Sequence, residues 1–242
     1  MRKTTGPDYG IDAPTVVRRL AIGAIVMFVA GLGWRHAVGE RGDGPQVLLD
    51  FAFCSGFTAA FMYWSSRVGK FRVRDRLLDS IAWRGDERVL DVGCGRGLAA
   101  IGAAHRLTTG HVTGVDIWSQ VDLSNNGPEA ACANADAEGV GAHVSFETGD
   151  ACRLPFADAS FDVVVSMTAL HNIASAADRA TALAEIGRVL EPGGRLALFD
   201  IFKAGEHRRR LVQLGFTDIA MSRPVFLWLM PGRRITAIAP RR

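Results

Sequence analysis

An apolar strand that runs straight into three alternating glycines constrains this chain more than any other stretch. Val89 to Gly97 reads Val-Leu-Asp-Val-Gly-Cys-Gly-Arg-Gly, and Leu98 to Leu107 follows with helical apolar spacing. Strand, tight turn and helix start, in that order, are one unit of an α/β fold. Glycine takes positive φ and carries no side chain, so such a turn is expected to bring bare backbone N–H groups to a ligand. The spacing separates ligand classes. A dinucleotide fingerprint needs G-x-G-x-x-G, and Leu98 occupies its last position. The pattern present is D-x-G-x-G-x-G, with Asp91 on the strand before the loop. A carboxylate there repels a pyrophosphate and suits a ligand that carries an ammonium and a sulfonium. The competing reading is a glycine turn that joins strand to helix and holds no ligand.

Asp91-Val-Gly-Cys-Gly-Arg-Gly97 resembles the first motif of class I S-adenosylmethionine-dependent methyltransferases. The resemblance implies a Rossmann-like α/β fold: a mostly parallel seven-stranded sheet with helices on both faces, closed by an antiparallel strand. It also implies S-adenosylmethionine as cofactor, held by Asp91, Gly93, Cys94, Gly95 and Gly97. His111 to Asp116 is a second short apolar strand ending in an acid. In an open parallel sheet such an acid, about 20 residues beyond the glycine loop, can reach ribose hydroxyls. Asp116 also occupies the family's ribose position; a plain strand-terminal turn is the alternative. Ile117, next in the chain, joins the cofactor residues. Ile117 to Gly127 is longer than the family pattern, and reads as a surface loop or as part of a substrate pocket.

After a third strand, His143 to Thr148, Asp150 and Ala151 resemble the family's adenine-recognition turn. Leu154-Pro155-Phe156 and Ser160-Phe161-Asp162 match its approach to a fourth strand, Val163 to Ser166, with Met167 at the cofactor. The mouth of that strand is where donor methyl and acceptor would meet. His171 is the one candidate base there, with a structural or pocket-lining role as the alternative. Arg179 to Leu190 reads as a helix stopped by Glu191-Pro192-Gly193-Gly194 before a strand from Arg195 to Phe202. Asp218 to Ser222 and Arg234 to Ala239 are expected as the last strands, joined through the Pro231-Gly232 turn, with Phe226 to Leu229 in the core.

At 242 residues the chain suits one catalytic domain, residues 67–242, plus an appendage. Residues 1–17 read as a loose, flexible tail. Two apolar runs follow, Leu20 to Trp34 and Val47 to Trp64, the second interrupted only by Asp50. We read residues 18–66 as two apolar helices forming a transmembrane hairpin. Trp34, Tyr63 and Trp64 sit at segment ends as interfacial anchors would. Arg2, Lys3, Arg18 and Arg19 precede the hairpin, and Arg67, Lys70, Arg72, Arg74 and Arg76 follow it. The connecting loop sets Arg35 and Arg41 against Glu40 and Asp43. Both ends, and the catalytic domain, are therefore expected on the cytoplasmic side. The basic cluster from Arg67 to Arg76 would meet lipid headgroups, or form the solvated face of a helix. The alternatives for the hairpin are a buried helical pair and a secretory signal cleaved near Ala37-Val38-Gly39.

Four cysteines without C-x-x-C spacing point to free thiols, and no metal constellation appears. A net charge of +3 gives no footprint for nucleic acid. The expectation is methyl transfer to a small, lipophilic acceptor at the membrane. A soluble small-molecule methyltransferase, with the helices as lid or dimer element, and a nucleoside-binding module without transfer are the alternatives. The oligomeric state is not legible.

Overall fold

The computed structural model describes residues 6–38, 43–121 and 123–241. The expectations for Arg2, Lys3, Glu40 and Arg41, for the Gly39 end of the cleavage site, and for residue 122 of the Ile117 to Gly127 loop, lie outside them.

Strand β1, Arg88–Val92, is central in a sheet ordered β3-β2-β1-β4-β5-β8-β6. It pairs in parallel with β2 (His111–Asp116) and β4 (Phe161–Met167), which pair in turn, also in parallel, with β3 (Val144–Thr148) and β5 (Leu190–Ile201). β8 (Met230–Ile238) runs antiparallel between β5 and β6 (Thr217–Met221). The central strands β1 and β4 are buried on both faces, so alternate residues serve two cores. Val89, Val112, Val163 and Ala197 face α4 (Leu98–Ala104) and α3 (Lys70–Leu78). Leu90, Val164, Leu196 and Leu198 face α6 (Ala176–Val189) and α7 (Ala204–Gln213). A further helix, α5 (Pro128–Ala137), packs beside β3.

An eighth strand, β7 (Val225–Leu227), pairs only with β8, bringing the sheet to eight strands rather than seven. Pro231-Gly232 is not the turn: both residues lie in β8, opposite Phe226 and Val225, and Trp228 and Leu229 turn instead, at φ of 51° and 66°. A Cβ on Gly232 would sit 2.3 Å from the Phe199 ring, so this glycine lets the Phe199 side chain of β5 lie across β8. The expected core patch splits, with Leu227 buried and Phe226 and Leu229 exposed.

α1 (Pro14–Val38) and α2 (Gly44–Trp64) form the antiparallel hairpin. They meet along small residues: a Cβ on Gly31 would lie 3.2 Å from the Pro45 carbonyl, and Gly56 faces Ala24. The domain boundary expected at 66/67 falls inside a continuous helix, because α2 passes through a π-helical turn, Ser65–Gly69, directly into α3.

Over residues 6–13 the chain is a strap, not a loose tail. Tyr9 is buried against Phe71, its hydroxyl donating to Glu138, and Asn134 fixes both the N–H and the carbonyl of Asp8. Lys70, expected among lipid-facing cations, is instead buried beneath the strap and donates to the carbonyls of Tyr9 and Gly10 and to Asp12 (2.8, 3.0 and 3.1 Å). Removing one member of a buried pair leaves the other unsatisfied, a cost of about 3 kcal/mol. Lys70→Met should therefore release residues 6–13, read as faster amide exchange there and early cleavage in limited proteolysis.

Candidate active site

The parallel register brings the carboxyl ends of β1, β2, β4 and β5 to one edge. Asp91 pairs with Gly114 and with Val165, and Met167 with Phe199, so Asp91, Asp116, Met167 and Asp200 gather there. A cleft of about 1320 Å³ opens above them. That exceeds the range of a single small-ligand pocket, about 300–1,000 Å³.

Asp91 is 1% exposed and neither carboxylate oxygen has a hydrogen-bond partner. Burial pushes its carboxyl up to about 7; the Ala100 backbone N–H opposes the rise without reaching hydrogen-bond geometry, and Asp116 adds to it. On the same wall Arg96 Nε is buried with no acceptor. Gly93, Gly95 and Gly97 all have positive φ, at 73°, 52° and 83°. Most N–H groups of this turn are not bare, in contrast to the sequence expectation. Gly93 and Cys94 donate to the Val115 carbonyl, Gly97 to Cys94, and Gly95 to Asp116 Oδ2 at 2.8 Å. The turn therefore offers close backbone approach within a self-satisfied scaffold.

Asp116 clamps that scaffold. Its other oxygen accepts from the Trp118 N–H at 2.6 Å, leaving lone pairs on both oxygens for further donors. Asp150 is held by the Cys152 N–H at 2.8 Å. Loop 117–127 lines the cleft through Ile117, Ser119, Gln120, Val121, Leu123 and Asn126, and bridges to the strap at Asp12 and Leu123. It belongs to the pocket and is not a plain surface loop.

At the far wall His171 Nδ1 bonds Asp200 Oδ1, while the His171 backbone N–H donates to Oδ2 at 2.9 Å. His207 Nε2 lies 3.0 Å from the same Oδ2. Burial works to raise the Asp200 carboxyl, and the bonds from His171 and His207 outweigh it, holding it below the usual carboxylate value. In the neutral imidazole, an Nδ1–H donated to Asp200 leaves the lone pair on Nε2. Past His171 the cleft carries the apolar side chains of Phe202, Trp228, Met230, and Val16 and Met62 at the foot of the hairpin, beside Asp12, Thr15 and Lys70.

Residues 90–198 match the methyltransferase domain family. The chain contains a class I methyltransferase domain. Among curated relatives, 27-O-demethylrifamycin SV methyltransferase of Amycolatopsis mediterranei is 41% identical over 174 residues, covering 68% of this chain and 58% of that one. The chain thus spans less than two thirds of that relative's length. Among solved structures, the cyclase SpnF shares the fold with a TM-score of 0.60 at 21% identity, over 96% of this chain and 100% of its own. Phosphoethanolamine N-methyltransferase 2 of Haemonchus contortus, in complex with S-adenosyl-L-methionine, gives 0.55 at 19% identity, over 70% and 52%.

The methyltransferase domain brings the sequence-predicted residues Asp91, Gly93, Cys94, Gly95, Asp116, Ile117, Asp150, Ala151, Met167 and His171 to one cleft. Gly97 is the exception. It does not line the cleft, and its missing side chain makes room for Phe146 and Ile101, each about 3 Å from where a Cβ would sit. Cys94 contributes backbone: burial pushes its thiol well up, and the sulfur packs at Gly114. Asp200, Asn126 and Arg96 were not singled out from sequence. For Asp200 the signal was present, since an acid stands near the end of an apolar strand there, as Asp91 does on β1. The site fits S-adenosylmethionine on its orphaned groups: a buried carboxylate lacking a donor and a buried guanidinium N–H lacking an acceptor complement a ligand with both ammonium and carboxylate. Among the described residues, no cluster could hold a metal ion.

Proposed function

We propose that the protein transfers a methyl group from S-adenosylmethionine to a small lipophilic acceptor at the cytoplasmic face of a membrane that holds α1 and α2. One observation carries this reading: a single cleft runs from Asp91 past His171 to Val16 and Met62 at the hairpin foot. Bound S-adenosylmethionine supplies a methyl already activated on a sulfonium. Asp91 takes the ammonium and Arg96 Nε the carboxylate, Asp116 the ribose hydroxyls, and Asp150 with Ala151 the adenine. His171 Nε2 accepts the proton of a hydroxyl or amine acceptor, and Asp200 holds the ring for it. The strap and loop 117–127 cover the donor end and keep water out. α1 and α2 support the membrane because their apolar side chains point outward: Ile25 is 65% exposed, Val29 63% and Phe53 74%. Both helices are long and apolar enough to cross a bilayer. The acid in α2, Asp50, lies near its start and bonds Gln46, one turn earlier and closer to that end of the helix.

Washing membranes with alkaline carbonate should leave the full chain in the pellet; release would remove the membrane from this reading and leave a soluble methyltransferase. His171→Ala should lower kcat for a lipophilic hydroxyl acceptor by about 100-fold at unchanged S-adenosylmethionine affinity. Asp200→Asn should act in the same direction, as it frees the imidazole to take the other tautomer. Full turnover in His171→Ala would reduce it to a wall residue. Failure to consume S-adenosylmethionine with membrane lipid extract would leave a nucleoside-binding module.

A further inference from the structure

A second, separate cavity of about 230 Å³ lies between α3, β5 and the β7–β8 hairpin. Its floor is apolar, formed by Val73, Leu77 and Phe199, each at most 5% exposed. Its rim is basic: Arg76 from α3, Arg223 from the turn before β7, and Arg234 from β8. Among the described residues no acidic one lines it. Among the described residues none of these three guanidiniums is paired with a carboxylate, whereas Arg74, Arg84, Arg88, Arg106, Arg179 and Arg188 all are. Arg234 is fixed in place by donating to the Arg76 carbonyl at 2.6 Å, and its own backbone is paired with Ser222. Three like charges thus stand around one opening, Arg234 fixed and Arg76 and Arg223 exposed, with no carboxylate paired to any of them among the described residues.

We propose that this cavity binds an amphiphilic anion, a phosphate or carboxylate head seated on the arginine rim with a short apolar chain on the Val73, Leu77 and Phe199 floor. Planar guanidiniums suit phosphate and carboxylate oxygens, which they bond in pairs. The volume is several times the ~30 Å³ share of one water, enough for a head and a few methylenes. The ligand could be drawn from a bilayer or from solution. The binding site itself does not depend on insertion of α1 and α2, nor on methyl transfer.

The test is calorimetric titration of the full chain, in a non-ionic detergent, with dihexanoyl phosphatidate and with inorganic phosphate. Wild type should bind the phosphatidate at least about ten-fold more tightly than phosphate, since only the former reaches the floor. Arg76→Gln combined with Arg223→Gln should weaken it by about ten-fold or more, while S-adenosylmethionine affinity, read on the same samples, stays unchanged and certifies the fold. Equal affinity for phosphate and phosphatidate, no binding of either, or an unaffected double variant would each overturn the proposal. Where it holds, competition by phosphatidylcholine vesicles containing one fifth phosphatidate assigns a bilayer source, and its absence a soluble one. Carbonate extraction reports on the hairpin separately.

Discussion

Asp91→Asn should stabilise the ligand-free protein at pH 8 and weaken S-adenosylmethionine binding about 100-fold. Both effects come from one buried carboxylate. Its folded value is raised to about 7, against 3.8 ordinarily, so between those values the folded protein holds a proton that the unfolded chain has lost. Stability therefore falls as pH rises through that window and stays reduced above it. A shift of about three units corresponds to about 4 kcal/mol at most. An asparagine avoids the ionisation but keeps unpaired polar atoms, so about 2 kcal/mol of gain is expected at pH 8, or about 5 °C in melting temperature. At pH 5 the gain should vanish. The ligand's ammonium needs the ionised form, so wild-type affinity should fall about tenfold per pH unit below 7. Thermal melts and calorimetry at pH 5, 6.5 and 8 check both arms; a variant with wild-type affinity would detach Asp91 from the cofactor.

Gly93→Ala should abolish measurable cofactor binding. The glycine has φ of +73°, where an L side chain costs about 1 kcal/mol. The larger cost is steric: the new Cβ would lie 2.2 Å from the Ala169 Cβ. Ala169 lies between β4 and His171, so the overlap resolves only if the glycine turn or the His171 loop moves. Either movement opens the cleft at the point where donor and acceptor meet. Adding Ala169→Gly removes the overlap and leaves the backbone cost, so the double variant should recover binding to within about tenfold of wild type. Equal loss in single and double variants would mean that the conformational term dominates.

The donor half of the cleft was legible because its residues follow one another at strand ends: Asp91 near the end of β1, Asp116 at the end of β2, Asp150 just after β3 and Met167 at the end of β4. Local pattern carries that information. Asp200 obeys the same rule, yet its role depends on His171 and His207, which reach it from different elements, and no spacing encodes that meeting. The strap was misread for a related reason. Residues 6–13 are polar and contain glycine and proline, as loose tails do, and what orders them is Lys70, Asn134 and Ser124, far along the chain. The β7–β8 turn was misplaced because Pro231-Gly232 is the stronger local turn signal; the close approach of Phe199 uses that glycine within a strand instead.

The π-helical turn at Ser65–Gly69 sets the angular phase between hairpin and domain. A π turn takes one residue more than an α turn, so it rotates everything downstream by about 100° relative to an uninterrupted helix. Upstream, α2 is apolar on nearly all sides and tolerant of rotation. Downstream, α3 must present Lys70 to the strap, Val73 and Leu77 to the sheet and Arg76 outward. Deleting one residue from this turn would leave the composition of both helices intact and swing α3 off its seat, so the junction behaves as a keyed coupling. Any torque on the hairpin reaches the strap directly, through Asp12, whose N–H is held by Ser66, and Lys70, one residue past the turn.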